Sequence, residues 1–286
     1  MRLAKLLLLS LVLMGVAGLL PIGCGNEEGT ATPPEEEGLT EEEISTATSI
    51  ADALTAIFQI GNIITGIVHQ SAGLSKSPPM APAPGIAAAT CPSITVESVA
   101  LGVLELSADY GSGCTTYAGY EASGGLGISY HGSIDTDATI EVAFDSFTYE
   151  GLAVDGSLSA TGRGETWTYT FDGSVGSASE VYQIAMTYTV TIDLAGTPED
   201  PADDTTTISG GGQFTTPDAK TYLIGIPEPL FFESTCSYPT DGTLTYQLQS
   251  ELPMPVTSID FGTSGCCAAT VSVGSKSEAV DLCVEG

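Results

Sequence analysis

Seven cysteines carry most of the chemistry this chain offers. Six of them, Cys91, Cys114, Cys236, Cys266, Cys267 and Cys283, lie in its later part. None of these forms a C-x-x-C pair and the chain has only two histidines, so a Cys/His metal centre is poorly supplied. An even set in an exported chain reads instead as disulfides formed in an oxidising compartment. The seventh, Cys24, stands apart in Leu20-Pro21-Ile22-Gly23-Cys24-Gly25, where its thiol directly follows a small residue. Ahead of it come Arg2, Lys5 and an apolar run from Leu6 to Leu20. A charged start, an apolar stretch and a small residue at the cut make an export signal.

Other reactive constellations are thin. His131 has Asp135 and Asp137 nearby in sequence, but a Ser-His-Asp triad also needs a presented nucleophile, and the chain has no G-x-S-x-G turn. His69 falls on a predicted helix. No phosphate-binding G-x-x-x-x-G-K-[ST] loop occurs. Carboxylate pairs of the glycosidase kind arise by chance among 36 acidic residues. The loop Glu199-Asp200-Pro201-Ala202-Asp203-Asp204 offers oxygen ligands for calcium through Glu199, Asp200, Asp203 and Asp204. Its spacing departs from the EF-hand pattern, and a solvated acidic loop is the plainer reading. The expectation is a chain that is not an enzyme and holds no cofactor beyond a covalent lipid on Cys24.

That lipid follows from a resemblance. The setting of Cys24 resembles the lipobox of bacterial lipoproteins, in which the thiol is acylated and becomes the mature N-terminus. Pro21 departs from the usual leucine three places before the cysteine. An ordinary secretory signal is the alternative, and the apolar run falls short of the ~20 residues that span a bilayer. Gly25 follows where inner-membrane retention usually has Asp, so the resemblance implies an outer-membrane lipoprotein facing the periplasm or the cell surface. Several acyl chains on one cysteine hold a protein to its membrane far better than one.

Charge agrees with this address. The formal net charge is −30, and the segment 1–23 carries two of the six Lys/Arg and none of the acids. Such a surface repels nucleic acid and anionic lipid alike, so the lipid must hold the chain at the membrane. Residues 24–39 (with EEGTATPPEEEG) form an acidic tether too poor in apolar side chains to fold.

The elements follow in order. Thr40 and Glu43 make a capping box, with Leu39 and Ile44 at the staple positions. Apolar residues then recur at helical spacing through Ile50, Leu54, Ile57, Gly61, Ile64 and Val68, predicting one amphipathic helix over residues 40–71. With no Lys or Arg to meet headgroups, it is expected to pack on the rest of the protein rather than on lipid. Residues 72–90 (AGLSKSPPMAPAPGIAAAT) read as a Pro/Ala linker. From residue 91 to 286 the period drops to two. Ile184-Met186-Tyr188-Val190, Trp167-Tyr169-Phe171 and Ile140-Val142-Phe144 each alternate with mostly polar neighbours. Asp155-Gly156, Asp172-Gly173 and Asp241-Gly242 read as hairpin turns, and Gly124-Gly125 and Gly210–Gly212 as bulges or strand bends. The fold class is mainly β: an antiparallel meander of about 12–14 strands, curled into a barrel or folded into a two-layer sandwich.

An internal echo bears on the cysteines. LSADYGSGC (106–114) and SIDFGTSGC (258–266) share Asp-aromatic-Gly followed by Ser-Gly-Cys, each with an upstream cysteine near a proline. The echo pairs Cys91 with Cys114 and Cys236 with Cys266, leaving Cys267 for Cys283. Side-chain alternation places Cys266 rather than Cys267 on the face of Cys283, so this last pairing stays open. The lipobox, tether and capped helix, then CPSITV with DYGSGC, CSYPTDGTLTY (236–246), the 258–266 block and FTYEGLAVDGSLSATG (147–162), resemble uncharacterised envelope lipoproteins of Bacteroidetes-like bacteria. The resemblance covers most of residues 40–286 and implies fold and location, with no activity attached. The expected role is a lipid-anchored, monomeric binding or structural module of the cell envelope, whose partner is an envelope protein, a glycan or a small apolar ligand. The alternative is a periplasmic carrier that holds a lipid or other small apolar molecule in the β cavity of the curled sheet, with the helix as plug or lid.

Overall fold

A computed structural model describes residues 38–71, 91–100, 103–116, 120–132, 136–193, 205–233, 236–262 and 265–283. The signal segment 1–23, most of the tether and the linker 72–90 lie outside them.

One helix precedes thirteen strands. Helix α1 spans Glu41–Ser71. The strands are β1 (Ser93–Ala100), β2 (Val103–Thr115), β3 (Glu121–Gly132), β4 (Ala138–Tyr149), β5 (Leu152–Arg163), β6 (Thr166–Gly176), β7 (Val181–Asp193), β8 (Thr205–Thr215), β9 (Thr221–Glu233), β10 (Asp241–Leu248), β11 (Thr257–Asp260), β12 (Ala268–Val273) and β13 (Lys276–Asp281). They form one sheet in strict sequence order, each strand antiparallel to the next. The meander expected from the alternation is therefore present. It is a single sheet that is not closed, rather than two stacked layers or a sealed barrel.

The helix begins as its cap predicts. Glu43 accepts hydrogen bonds from the Thr40 amide (2.7 Å) and hydroxyl (2.9 Å), and the Glu43 amide donates to Thr40 Oγ1 (3.2 Å). The reciprocal bonds satisfy amides that a helix start leaves without partners. Glu41, Glu42 and Glu43 add negative charge at the positive end of the helix dipole.

Helix and sheet form one core. Ile50, Leu54, Ile57, Phe58, Ile60, Ile64 and Ile67 are buried, so apolar side chains leave the helix on several sides. Between Ile50 and Ile67 only Asp52, Thr55, Gln59 and Asn62, spaced as one helical stripe, are half-buried. A helix buried on so much of its circumference needs a partner that wraps it. The sheet does so by curling: Tyr120, between β2 and β3, hydrogen-bonds Ser237, between β9 and β10. The helix is apolar and long enough over Glu41–Val68 to cross a bilayer, yet 78% of its most apolar window is buried inside the protein.

The inward face of the sheet alternates as read. Trp167, Tyr169 and Phe171 on β6 are buried, as are Ile184, Met186, Tyr188 and Val190 on β7. Bulges occur at Gly124 and Gly210, where the pairing slips. The Asp-Gly reading fails at three places. Asp155-Gly156 and Asp172-Gly173 lie within β5 and β6, with Gly156 directly opposite Gly173. A Cβ on Gly173 would sit 2.1 Å from the Asp155 carbonyl oxygen, so glycine here allows two backbones to approach rather than turn. Asp241-Gly242 opens β10 beside a slip in its pairing with β9. A true two-residue turn joins β4 to β5 through Glu150-Gly151, both at positive φ (49° and 78°), as a right-twisted hairpin requires.

Candidate functional site

Tyrosine hydroxyls from the sheet meet the backbone of the central helix. Tyr188 donates to the Ile57 carbonyl (3.3 Å) and Tyr169 to the Gly61 carbonyl (3.3 Å). Thr65 also donates to Gly61 (3.0 Å), and its hydroxyl is hydrogen-bonded to that of Tyr169. The two tyrosine rings stack with centroids 5.1 Å apart, and Phe58 meets Tyr188 edge-on at 5.0 Å. Alternation on adjacent strands creates this pair, since Tyr169 and Tyr188 are register partners. Gly61 makes room for it: a Cβ there would lie 2.9 Å from the Tyr188 hydroxyl and 3.4 Å from the Tyr169 ring. Burial pushes the Tyr169 phenol up to about 12 and that of Tyr188 well above its usual range. These are neutral hydrogen-bonding anchors at any physiological pH.

A more polar cluster lies on the half-buried stripe of the helix. Asp52 accepts a hydrogen bond from the Tyr238 hydroxyl (2.7 Å), and Ser49 pairs with Tyr182. Tyr120 joins through Ser237 beside Tyr238. Burial raises the Asp52 carboxyl above its usual value, with the Tyr238 bond opposing the shift. Burial, then the bond to Asp52, raises Tyr238. This cluster pins the helix where the curled sheet meets itself. A phenol and a carboxyl in this pairing make a structural lock.

The outward faces of β4–β8 carry a panel of hydroxyls. Thr139, Thr161, Thr168, Thr189 and Ser209 are successive register partners across five strands. Ser159, Thr170 and Thr187 form a second row, and Thr166, Thr191 and Thr207 a third. Strands sit ~4.8 Å apart and alternate outward residues ~6.6 Å apart, so the hydroxyls form a two-dimensional array. Thr168–Thr189 (3.1 Å) and Thr170–Thr187 (3.3 Å) are hydrogen-bonded pairs. Charge enters these rows only at their ends, as Glu141 beside Ser159 and Arg163 beside Thr166. In a chain of net charge −30 this is an uncharged window.

Each residue singled out in the sequence has a definite place. Cys91–Cys114, Cys236–Cys266 and Cys267–Cys283 are paired, with Cα separations of 6.2, 4.9 and 5.4 Å. The first staples the β1–β2 hairpin and the second the β10–β11 hairpin, and the echoed aromatics Tyr110 and Phe261 are both buried. Cys267 pairs with Cys283 because the regular pairing of β12 with β13 stops at Ala268 and Asp281. Side-chain alternation therefore does not govern either cysteine. Each staple is worth about 3 kcal/mol through the denatured state. Cys267, Asp281 and Cys283 lie within metal-binding distance of one another, but both cysteines are spent in the disulfide. His131 is exposed on β3, opposite Thr139, and Asp137 is exposed in the following turn. The arrangement presents them to solvent rather than in a cleft. Cys24, Asp135 and the calcium candidates Glu199, Asp200, Asp203 and Asp204 lie outside the described residues, as does the side chain of His69.

The tyrosine anchors and the hydroxyl panel escaped the sequence reading. The signal for both was present in β6 and β7, where Trp167, Tyr169, Phe171, Met186, Tyr188 and Val190 alternate with Thr166, Thr168, Thr170, Thr187, Thr189 and Thr191. No family model, no curated protein and no solved structure matches the chain.

Proposed function

We propose that this protein is a lipid-anchored lipoprotein of the bacterial outer envelope, acylated at Cys24, whose β domain works by presenting its outer surface to a partner and performs no catalysis. The observation that carries the reading is the occupation of the sheet's concave side by the chain's own helix. Phe58, Ile57 and Ile64 on that helix, with Tyr169 and Tyr188 facing it, are each at most 1% exposed. A carrier of apolar molecules needs a lined cavity of several hundred Å³, and here the helix would have to leave for one to open. What is left to meet a partner is the outside. Its central panel of uncharged hydroxyls suits a hydrogen-bonding, uncharged partner, and an envelope glycan fits it best. The six cysteines support an oxidising location.

The test is mass spectrometry of the protein taken from the membrane fraction of its bacterial host. The expected result is a mature N-terminus at Cys24 carrying acyl chains, with no stoichiometric lipid released when the protein is extracted under denaturing conditions. An unacylated N-terminus at another residue overturns the anchor. A bound apolar molecule at one per chain overturns presentation in favour of the carrier.

A further inference from the structure

Six large apolar side chains are well exposed among the described residues, and four of them gather at one end of the molecule. Leu252 (74% exposed), Met254 (38%) and Val256 (50%) lie on the connection between β10 and β11, and Leu223 (44%) lies beside them on β9. Two contacts tie the group together. Leu223 pairs in register with Gln247, and the Gln247 side-chain amide donates to the Met254 carbonyl. Proline at 253 and 255 stiffens this tongue, and the Ser250 hydroxyl donates to the Leu252 carbonyl to hold its tip. Four such residues together form the kind of patch that marks a contact surface.

The same end is where the chain leads back toward Cys24. Lys220, in the β8–β9 turn, bonds Glu42 in the first turn of α1 (3.2 Å). Lys276 donates to the carbonyl of Gly38, where the described chain begins (3.3 Å). Tyr246, on the strand that leads into the tongue, reaches the Glu43 carbonyl (3.5 Å). Thirteen residues separate Cys24 from Gly38. Fully extended they reach at most ~50 Å. A tether of that length keeps this end at high effective concentration near whatever holds Cys24.

We infer that the tongue Glu251–Val256, with Leu223, is a membrane-docking surface that inserts its apolar side chains into the interface of a zwitterionic bilayer. The inference rests on the lipid-anchor reading for its orientation. Side chains of this type partition into the boundary of headgroups and acyl chains. Charge selects the lipid: among the described residues of this end, Asp218, Glu251 and Glu42 outnumber the cations Lys220 and Lys276, so an anionic surface is disfavoured. Docking by this end holds α1 pointing away from the membrane and leaves the hydroxyl panel on the flank, open to the envelope space.

The test uses Leu252→Trp in the mature protein and vesicles of phosphatidylcholine containing a bromine-labelled phosphatidylcholine, which quenches tryptophan at the interface. The native Trp167 is 1% exposed and serves as an internal reference and a report of folding. Thr187→Trp, on the hydroxyl panel, is the sidedness control. Each variant is attached in two ways, by native acylation at Cys24 and by a histidine tag at residue 24 on a chelating lipid. Expected is quenching of Leu252→Trp about twofold or more above that of Thr187→Trp in both arms, reduced by anionic lipid at low salt. The pair Leu252→Asp and Met254→Asp should lower untethered partitioning about tenfold. Equal quenching at the two positions in the chelating-lipid arm overturns docking, whatever the state of Cys24. Quenching there, together with an unmodified Cys24 in the host, overturns the anchor reading and leaves the docking surface standing.

Discussion

Strands β6 and β7 show two faces built from the same backbone. Inward, Tyr169 and Tyr188 stack on each other and donate to helix carbonyls. Outward, one residue away, the hydroxyls of Thr168 and Thr189 bond to one another. The inner face is specific because the buried Tyr169 and Tyr188 hydroxyls must find partners at fixed places on α1. The outer face is regular because water satisfies whatever the neighbouring threonine does not. Stability is therefore concentrated on one side of the sheet, and the other side is free to vary with its partner.

The largest effect that can break this contrast is removal of an inner aromatic. Tyr169→Ala and Tyr188→Ala should each cost about 3–5 kcal/mol, the range for deleting a large buried ring. Chemical denaturation of the purified domain with its disulfides intact measures it. A loss under about 1 kcal/mol at both positions would mean that the helix is not held by these rings.

Alkaline titration sharpens the contrast without mutation. An ordinary tyrosine ionises near pH 10, whereas burial raises Tyr169 to about 12 and Tyr188 further. The folded value exceeds the unfolded one, so between these pH values the unfolded chain has released protons that the folded chain keeps. Stability should hold below pH 10 and fall as pH rises through the window from 10 toward 12. Absorbance at the phenolate band should show a class of tyrosines that ionises only together with loss of the fold.

A smaller effect is expected at Asp52, where the helix meets the polar cluster. Its carboxyl is raised by burial, so the folded chain binds this proton more tightly than the unfolded chain. The sign is opposite to that of a salt-bridged aspartate: Asp52 contributes a loss of stability as pH rises from its unfolded value through its raised folded value. Asp52→Asn keeps an acceptor for the Tyr238 hydroxyl and removes the charge. It should flatten this part of the pH–stability profile and raise stability at neutral pH. Unchanged profiles would place Asp52 among the solvated carboxylates.

Much of this architecture was legible in the residues. The cap at Thr40 and Glu43, the alternation of β6 and β7 and the echoed Asp-aromatic-Gly blocks are local patterns, and each appears where local chemistry puts it. The Asp-Gly pairs misled because a turn and a close strand crossing make the same demand for a residue without a side chain. Only the partner strand distinguishes them, and Gly156 meets Gly173 across a pairing that sequence spacing does not reveal. How far the sheet surrounds α1 was hidden for a related reason. Its half-buried polar stripe of Asp52, Thr55, Gln59 and Asn62 reads as the solvent face of an amphipathic helix on a sheet. That the sheet curls far enough to bring Tyr120 to Ser237, and so to surround the helix, depends on contacts seven strands apart. The hydroxyl panel needed the register of β4–β8 as well as the composition of each strand.

The smallest effect on stability is expected on the outer face. Thr168→Ala with Thr189→Ala removes one exposed hydrogen-bonded pair (3.1 Å) and leaves every inward contact in place. Surface changes of this kind fall within about 0.5 kcal/mol, and cross-strand threonine pairs lie at the low end of pair energies. The denaturation midpoint should therefore stay close to that of the parent. Binding should behave in the opposite way. If the panel meets an uncharged glycan, the double variant should lose retention on purified envelope glycan while Tyr169→Phe, which keeps the inner ring, should retain it. A double variant that unfolds easily would assign the threonine rows to the core's stability. One that is stable and binds fully would move the partner surface elsewhere on the domain.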